Sequence, residues 1–396
     1  MTSSFALSKP RRPSAVTSVV FPFVGGDMGG SHVSAFTLGR VLQEEHGIRC
    51  RVLCSARTLV AEQANKSGFA VVATGEPPTY RHHPAYDAVR FTDRWRIVRE
   101  LATDCVVHFN DLAAVQSWGP VARLAGRLIL YHHRSLNRMT LPKRLLVNLA
   151  HEVVCISQAC EHNLEFVSPG KRTLVLNPIH VSSNNLLRRE ARRFAADIGC
   201  PLQGPLIGFV SNFWFRKRSR YFLEVCARLA SARPDCHFVV FGRNGDETED
   251  DLMRVAKELG IADRVTFAGF RLPGERNIAA LDLLLATSIN EPFGRTLVEA
   301  AIVGTPYLAT DDAGHREIWN RWRGGRLADI GVSPDEFASL ALDILREPGS
   351  VILGKHERGQ IVEDVSARTH ARRITEIYRR LKALKPGLAQ FPEGAL

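Results

Sequence analysis

The sequence predicts an α/β protein made of two doubly wound, Rossmann-like domains with parallel sheets. Its 396 residues suffice for two domains of about 100 to 200 residues each. Short apolar runs alternate with longer amphipathic stretches along almost the whole chain, as expected for buried parallel strands covered by helices. The alternation stops at an irregular, basic stretch over 177–205 and then begins again, so a second domain is expected after it.

The first series of apolar runs predicts one sheet of seven strands. Amphipathic stretches at 33–45 and 112–124 lie between the runs and predict helices that cover the sheet. The strands are expected at 15–21, 51–54, 70–73, 105–108, 128–131, 153–156 and 173–176.

The second series predicts five further strands and, near the end of the chain, a helix at 367–384. Two such sheets facing each other across a cleft would place the carboxyl ends of their strands, where ligands bind, on either side of it. We expect an N-terminal domain over 1–185, a C-terminal domain over 186–366, and a helical segment over 367–396 that packs back toward the N-terminal domain. The strands are expected at 206–210, 237–241, 265–267, 283–286 and 306–309.

The net charge predicts an anionic partner. Lysine and arginine number 52 against 41 aspartate and glutamate residues, which leaves a formal charge of +11. Nucleic acid, an anionic membrane and a phosphorylated small molecule are the three possible kinds of anionic partner. The basic stretches at 187–193 and 372–380 lack the interleaved aromatic residues of a nucleic-acid platform, so nucleic acid is not expected. Solvated helix faces are the first interpretation of these stretches, and docking on an anionic membrane is the second.

The cysteines and the apolar runs predict a cytoplasmic protein. The eight cysteines never form a CxxC pair and mostly lie in apolar segments, as buried reduced thiols do. No run reaches the roughly 18 to 20 apolar residues of a membrane-spanning helix, and no secretory signal is recognisable. Peripheral contact with the inner face of the cell membrane is a further expectation.

The most informative segment is EPFGRTLVEAA, which begins at Glu291. Its proline and glycine predict a tight turn before a helix, so the backbone N–H groups of Gly294 to Leu297 are expected to be unpaired and to bind a diphosphate. Glu291 and Glu299 lie on either side of these groups. Carboxylates beside an anion site are repulsive unless they bind hydroxyl groups, so a nucleotide sugar, with sugars at both ends of its diphosphate, is the expected ligand.

This segment, continued by IVGTPYLATDDAG, resembles the donor-binding signature of retaining glycosyltransferases of family 4 (glycosyl transferases group 1), which have the GT-B fold. The resemblance implies that Glu291 contacts the donor sugar and that Glu299 binds the ribose hydroxyls. It also implies that the amides of the turn hold the distal phosphate. The residues of that turn are Phe293, Gly294, Arg295, Thr296 and Leu297.

A second match follows the first strand of the second domain, in VSNFWFRKR. The family has an arginine and a lysine there, both on the donor phosphates, and a glycine after the lysine. Lys217 stands at the lysine position, whereas Asn212 replaces the arginine and Arg218 replaces the glycine. Lys217 is therefore the expected phosphate cation. Either Arg216 or Arg218 would supply the missing second charge, or both would belong to a solvated basic loop.

Two further segments resemble parts of the family's donor site. The pair at 241–245 and 264–271 resembles the segments that enclose the nucleotide base, with Phe270 beside the base; packing in the core is the alternative for this ring. The glycine-rich loop at 25–31 resembles the loop that faces the donor diphosphate and the acceptor. Gly29 and Gly30 are its candidate site residues, and a simple tight turn is the alternative.

The family commonly has a histidine near the reacting sugar, and the segment LYHHRS places His132 and His133 at the end of a predicted strand. A histidine there would hydrogen-bond the donor sugar or stabilise developing charge. His132 follows the predicted strand more directly. Whichever histidine points away is expected to have a structural role.

The expected function is transfer of a sugar, of hexosyl type, from a nucleoside-diphosphate sugar to a hydroxyl of a cell-surface polysaccharide or lipid-linked glycan, with retention at the anomeric carbon. The chain has no DxD motif and no zinc-like Cys/His spacing, so neither a metal nor a cofactor is expected and the nucleotide sugar is a co-substrate. Two alternatives stay open. A sugar-nucleotide epimerase would share the fold and the nucleotide, and a non-catalytic sugar-nucleotide-binding protein would account for Asn212.

Overall fold

The computed structural model describes residues 16–384, apart from 27, 78, 80, 81 and 180–187. The chain divides into two compact units. The first comprises Met1–Ile156, Glu161–Pro178 and Ala367–Leu396, and the second comprises Ser157–Cys160 and Ile179–Ser366. The domain boundary predicted at 185–186 lies outside the described residues.

The first unit is built on a parallel sheet of seven strands in the order β3-β2-β1-β4-β5-β6-β7. Its strands are β1 (Ser18–Pro22), β2 (Arg49–Cys54), β3 (Ala70–Ala73), β4 (Val106–Phe109), β5 (Leu128–His133), β6 (Glu152–Cys155) and β7 (Arg172–Leu174). The helices that precede β7 in the chain are α1 (Gly30–His46), α2 (Leu59–Lys66), α3 (Pro84–Val89), α4 (Phe91–Arg99), α5 (Leu112–Leu124), α6 (Leu141–Val147) and α7 (Gln158–His162).

The second unit repeats this plan with six parallel strands in the order β10-β9-β8-β11-β12-β13. Its strands are β8 (Leu206–Val210), β9 (His237–Phe241), β10 (Val265–Gly269), β11 (Leu283–Ala286), β12 (Tyr307–Thr310) and β13 (Arg326–Ala328). The remaining helices of the chain are α8 (Arg188–Asp197), α9 (Ser219–Ala232), α10 (Glu249–Glu258), α11 (Gly274–Ala279), α12 (Arg295–Val303), α13 (Ala313–Trp322), α14 (Pro334–Arg346), α15 (Lys355–Asp364) and α16 (Ala367–Ala383).

The strand order reverses once in each unit, between β1 and β4 in the first and between β8 and β11 in the second. The connections on either side of such a reversal leave in opposite directions, which opens a crevice at the carboxyl ends of the two strands. Each unit therefore has one position at which loops are free to hold a ligand.

The two-sheet α/β architecture is confirmed, and β3, β8, β9 and β11 have the predicted bounds. The prediction that the strand at 128–131 ends before the histidines is wrong. β5 continues through both of them because His132 pairs with Val154 and His133 with Cys155 of β6. The three-residue edge strand β13 was not predicted, since Arg326–Ala328 carries too short an apolar run to stand out. Ala15, the start of the first predicted strand, lies outside the described residues.

The last helix, α16, belongs to the core of the first unit. It packs against α1, and one of its faces is buried among the residues of the first sheet. That face comprises Ala371, Ile374, Ile377, Tyr378 and Leu381. All eight cysteines are buried free thiols, as the sequence predicts. In the described part of the chain, no helix combines the length and the hydropathy needed to cross a bilayer.

Candidate functional site

Two loops meet at the strand reversal of the second unit. After β8 the chain makes a single 3-10 turn at Phe215–Lys217 and enters α9. The backbone N–H of Ile289, after β11, donates to the carbonyl of Arg216 at 2.8 Å. The hydroxyl of Thr287 donates to the carbonyl of Lys217, also at 2.8 Å. The basic turn is thereby fixed against the loop that carries Glu291.

Glu291 is the centre of a compact cluster of opposite charges. Its Oε2 lies 2.5 Å from Nζ of Lys217 and 3.2 Å from Nη1 of Arg216. The side chains of Lys217 and Glu291 are 15% and 11% exposed, whereas that of Arg216 is 42% exposed. Burial alone would raise the pKa of Glu291, but the charges of Lys217 and Arg216 outweigh it and lower the pKa to about 2. Glu291 is therefore a carboxylate at neutral pH.

His315 is a member of this cluster that the sequence reasoning missed. It lies in the first turn of α13, is 1% exposed, and its Nδ1 is 3.1 Å from the carbonyl oxygen of Thr310. Burial lowers its pKa, so the ring is neutral at pH 7. The available signal was its position in the segment DDAGH, after the strand β12 that neighbours β11 in the sheet.

The turn before α12 has the predicted form, with one difference. Gly294 caps the helix at φ 90°, a left-handed conformation that favours glycine. A Cβ atom at this position would lie 3.0 Å from Cδ2 of His315. Among the described residues, the N–H groups of Gly294 and Thr296 have no acceptor. The prediction that the N–H of Leu297 is unpaired is wrong, because it donates to the carbonyl of Gly294 at 3.1 Å and closes the first turn.

Glu299 lies further along α12, where Arg295 is its ion-pair partner. Nη2 of Arg295 is 3.4 Å from its carboxylate, and the side chain of Glu299 is 13% exposed. Burial raises its pKa, Arg295 opposes that shift and Glu275 adds to it. A Cβ atom at Gly274 would lie 3.6 Å from Oε2 of Glu299, so the start of α11 approaches this carboxylate closely.

The remaining predicted residues of this unit separate into different environments. Phe270 is 51% exposed and the guanidinium of Arg243 lies 4.5 Å from its ring centre, so the core interpretation of Phe270 is wrong. Phe293 is buried. The guanidinium of Arg218 stacks on Tyr221 at 3.9 Å, whereas Arg216 contacts Glu291. Asn212 is half-buried, and its carbonyl accepts the N–H of Trp214.

In the first unit, Gly29 and Gly30 begin α1. Gly29 is the N-cap in an extended conformation, and its N–H donates to Nδ1 of His32 at 3.1 Å. A Cβ atom at Gly30 would meet nothing within 4 Å. Neither glycine is required by a positive φ, so the backbone here is an ordinary helix start with open space beside it. Asp27, in the same loop, lies outside the described residues.

His132 and His133 are both fully buried. His132 stacks between His108 and His370, with ring centres 5.6 and 5.5 Å away, and its Nδ1 is 3.0 Å from Nη2 of Arg134. Burial lowers the pKa values of His108 and His132 well below the usual histidine range, and lowers that of His370 to about 3. The expectation that His132 simply follows the strand is wrong, because it lies inside β5 as part of a neutral imidazole stack.

His133 has different partners. Its Nδ1 is 2.9 Å from the hydroxyl of Tyr131, and its Nε2 is 3.1 Å from Oδ1 of Asn163. Because an amide oxygen can only accept, Nε2 carries the proton and Nδ1 accepts from the tyrosine. Burial lowers the pKa of His133 to about 4, so it too is neutral at pH 7.

Comparison with known proteins finds a similar family, similar sequences and similar structures. Residues 191–363 match the family described as Glycosyl transferases group 1. The chain is 29% identical to the lipopolysaccharide core biosynthesis glycosyltransferase LpsE of Rhizobium meliloti over 191 residues, which are 48% of this chain and 53% of that protein. It is 30% identical to the 2-deoxystreptamine glucosyltransferase of Streptomyces kanamyceticus over 249 residues, which are 61% of this chain and 59% of that protein. The chain thus spans just over half the length of these relatives.

Among solved structures, this chain is similar to the complex of Anabaena Alr3699/HepE with UDP and glucose, with a TM-score of 0.75 and 18% sequence identity. The match covers 91% of this chain and 98% of the Anabaena chain. A likeness at this identity concerns the fold. The chain has the GT-B fold, and the segment of its second unit that matches the glycosyl transferases group 1 family contains Lys217, Glu291 and the turn before α12.

Proposed function

We propose that this protein is a glycosyltransferase that moves a sugar from a nucleoside-diphosphate sugar to an acceptor hydroxyl, with retention at the anomeric carbon. The observation that carries the proposal is the cluster of Lys217, Arg216 and Glu291 beside the turn before α12. It combines two cations, an ionised carboxylate and backbone N–H groups without acceptors at one strand reversal. A diphosphate and a sugar hydroxyl require these groups together.

The cluster would act mainly by neutralising the leaving diphosphate. Lys217 and Arg216 contribute positive charge, while the N–H groups of Gly294 and Thr296 and the dipole of α12 stabilise the distal phosphate. Glu291 is held as a carboxylate and would accept hydrogen bonds from hydroxyls of the donor sugar, which fixes the sugar in a reactive orientation. It is assigned a positioning role rather than that of a covalent nucleophile.

Arg216 would supply the charge that the family's arginine provides at the position of Asn212. It already shares Glu291 with Lys217, whereas the guanidinium of Arg218 stacks on Tyr221 and donates to the carbonyl of Ile330 at 3.4 Å. With both cations supplied by the chain, transfer of a hexosyl group would need no metal. Transfer rates would then be equal with and without EDTA, and recovery of lost activity by added Mg²⁺ or Mn²⁺ would contradict this part of the proposal.

The donor can be identified by thermal shift with UDP, GDP, ADP and dTDP sugars, because a ligand that binds the folded state raises the melting temperature. Each stabilising donor is then incubated with a panel of glycan and glycolipid acceptors, and the configuration of the product is read by NMR. We expect one preferred base and a retained anomeric configuration. A product of inverted configuration would contradict the mechanism.

The same assay separates the two alternatives. Isomerisation of the donor without any acceptor would identify an epimerase. Donor binding without turnover across the whole panel would identify a non-catalytic binding protein.

We further propose a cytoplasmic enzyme that acts on a polysaccharide or lipid-linked acceptor at an anionic membrane. The support is the excess of positive charge, of which the donor site uses only two cations, and the exposed Arg372 and Arg379 on α16. Sedimentation with vesicles of phosphatidylglycerol, lost as salt is raised, is the expected result. Equal recovery with phosphatidylcholine vesicles, or no sedimentation at low salt, would contradict it.

A further inference from the structure

The first unit contains a basic pocket that none of the candidate site residues lines. It lies between the loop that follows β5 and the end of α7, which follows β6, so it opens at the carboxyl edge of two neighbouring strands. Its volume is about 610 Å³, within the range of small-molecule sites. The lining residues are Arg138, Met139, Thr140, Leu141, Arg144, His162 and Asn163.

The lining contains two arginines and no carboxylate. Nε of Arg144 donates to the carbonyl of Met139 at 3.0 Å, and its guanidinium lies 5.1 Å from the ring centre of Phe166. These two contacts orient the guanidinium and leave its terminal nitrogens for a ligand. Within the described part of the chain, neither Arg138 nor Arg144 forms an ion pair. Two cations without a protein counter-ion at the edge of a parallel sheet favour an anionic ligand.

Asn163 connects the pocket to the interior of the unit. Its Oδ1 accepts the proton of Nε2 of His133, so the amide group is oriented and its NH₂ is left as the donor. His133 is in turn held by the hydroxyl of Tyr131. One wall of the pocket is therefore fixed to β5, which makes it a preorganised surface rather than a set of loose side chains.

We propose that this pocket binds a phosphate group carried by the acceptor. Guanidinium groups match the geometry of phosphate oxygens, and the volume leaves space for the sugar or polyol that bears the phosphate. The proposal rests on the proposed transferase function, because it names the chemistry of the acceptor. The phosphate belongs either to a soluble sugar phosphate or to a lipid headgroup. The second source would suit Leu141, which lines the pocket and is 70% exposed.

The first test measures binding of glucose 6-phosphate in protein carrying Lys217→Ala, so that the donor site contributes little to phosphate affinity. Adding Arg138→Gln and Arg144→Gln is expected to raise the dissociation constant at least tenfold. The matched control is Arg49→Gln, an exposed arginine at the start of β2 in the same unit and outside the pocket, which should leave the dissociation constant unchanged. Glucose in place of glucose 6-phosphate should bind all variants equally weakly.

The lipid source is tested by sedimentation of the same variants with vesicles of phosphatidic acid, with phosphatidylcholine as the reference. A loss restricted to glucose 6-phosphate binding assigns a soluble acceptor, and a loss restricted to phosphatidic acid assigns a lipid headgroup. The proposal is overturned if the double variant and Arg49→Gln bind both phosphate probes equally. Donor affinity is measured in parallel: its persistence with no sugar transfer would refute the transferase function while leaving the phosphate site intact.

Discussion

The two units share a strand order but use it for opposite electrostatic purposes. At the reversal of the second sheet, charged groups are brought together and kept ionised, with Glu291 between Lys217 and Arg216. In the first unit, the titratable groups along β4 and β5 are buried as neutral rings, and His108, His132 and His370 stack on one another. The same topology therefore gives one site suited to a diphosphate and, along β4 and β5 of the other unit, a buried stack of neutral rings.

The largest expected difference between the two units is in their stability at acidic pH. Four histidines of the first unit have pKa values below the ordinary 6.5, so the unfolded chain binds protons before the folded one. Their contribution to the free energy of unfolding is complete above about pH 7 and is lost as the pH falls below 6.5, by about 2 kcal/mol each for His133 and His370 between pH 7 and pH 5. The four histidines are His108, His132, His133 and His370.

Hydrogen exchange resolves this effect by unit, after correction for the intrinsic rate at each pH. Amides of β4 and β5 should lose protection between pH 7 and 5 far more than those of β8 and β11. Glu291 affects stability in a lower pH range. Because its pKa is lowered in the folded state, its contribution to the free energy of unfolding is lost only below about pH 4.5. Equal loss in both sheets would contradict the contrast between the units.

Lys217→Ala should have the largest effect on catalysis. Removing the buried cation beside the leaving diphosphate is expected to lower kcat/KM by at least about 100-fold, in line with the loss of one electrostatic stabiliser. The control is Lys257→Ala, an exposed lysine in the last turn of α10. A Lys217→Ala enzyme within threefold of the wild type would refute the assignment.

Arg216→Gln should have a smaller effect, because its side chain is more exposed than that of Lys217. We expect a fall in kcat/KM of about tenfold. The difference between the variant and the wild type should become smaller at high salt, because salt screens the charge of Arg216 in the wild type. Arg228→Gln, on the exposed pair with Asp335, is the matched control. If Arg216→Gln behaved like this control, the second cation would have to come from elsewhere.

Arg218→Gly should have the smallest effect and should stabilise the fold. Arg218 has φ 56° and ψ 49° at the position where the family has glycine. Relief of the left-handed conformation is worth about 1 kcal/mol, partly offset by the lost stacking on Tyr221. Urea denaturation measures the change, and a loss of more than 1 kcal/mol would show that the stacking dominates.

The sequence predicted the second unit well because its chemistry is local. The turn before α12, Glu291 and Lys217 lie in short segments whose residue types specify both the backbone and the charge. The first unit was harder to predict because its interactions join distant positions. His132 meets His108 and His370 only after β4, β5 and α16 have packed, and nothing local in the sequence marks these pairs. In the second unit, His315 joins Glu291 because β11 and β12 are neighbours, and its place in the segment after β12 is the local signal of that pairing.

The proposed function depends on the charges of Lys217 and Arg216, which would neutralise the diphosphate of the donor. Its most direct test is calorimetric titration of the preferred nucleoside diphosphate and the matching monophosphate into the wild type and into Arg216→Gln/Lys217→Ala. We predict that the wild type binds the diphosphate at least tenfold more tightly and that the double variant loses this preference while still binding the monophosphate. An unchanged preference in the double variant would contradict the account.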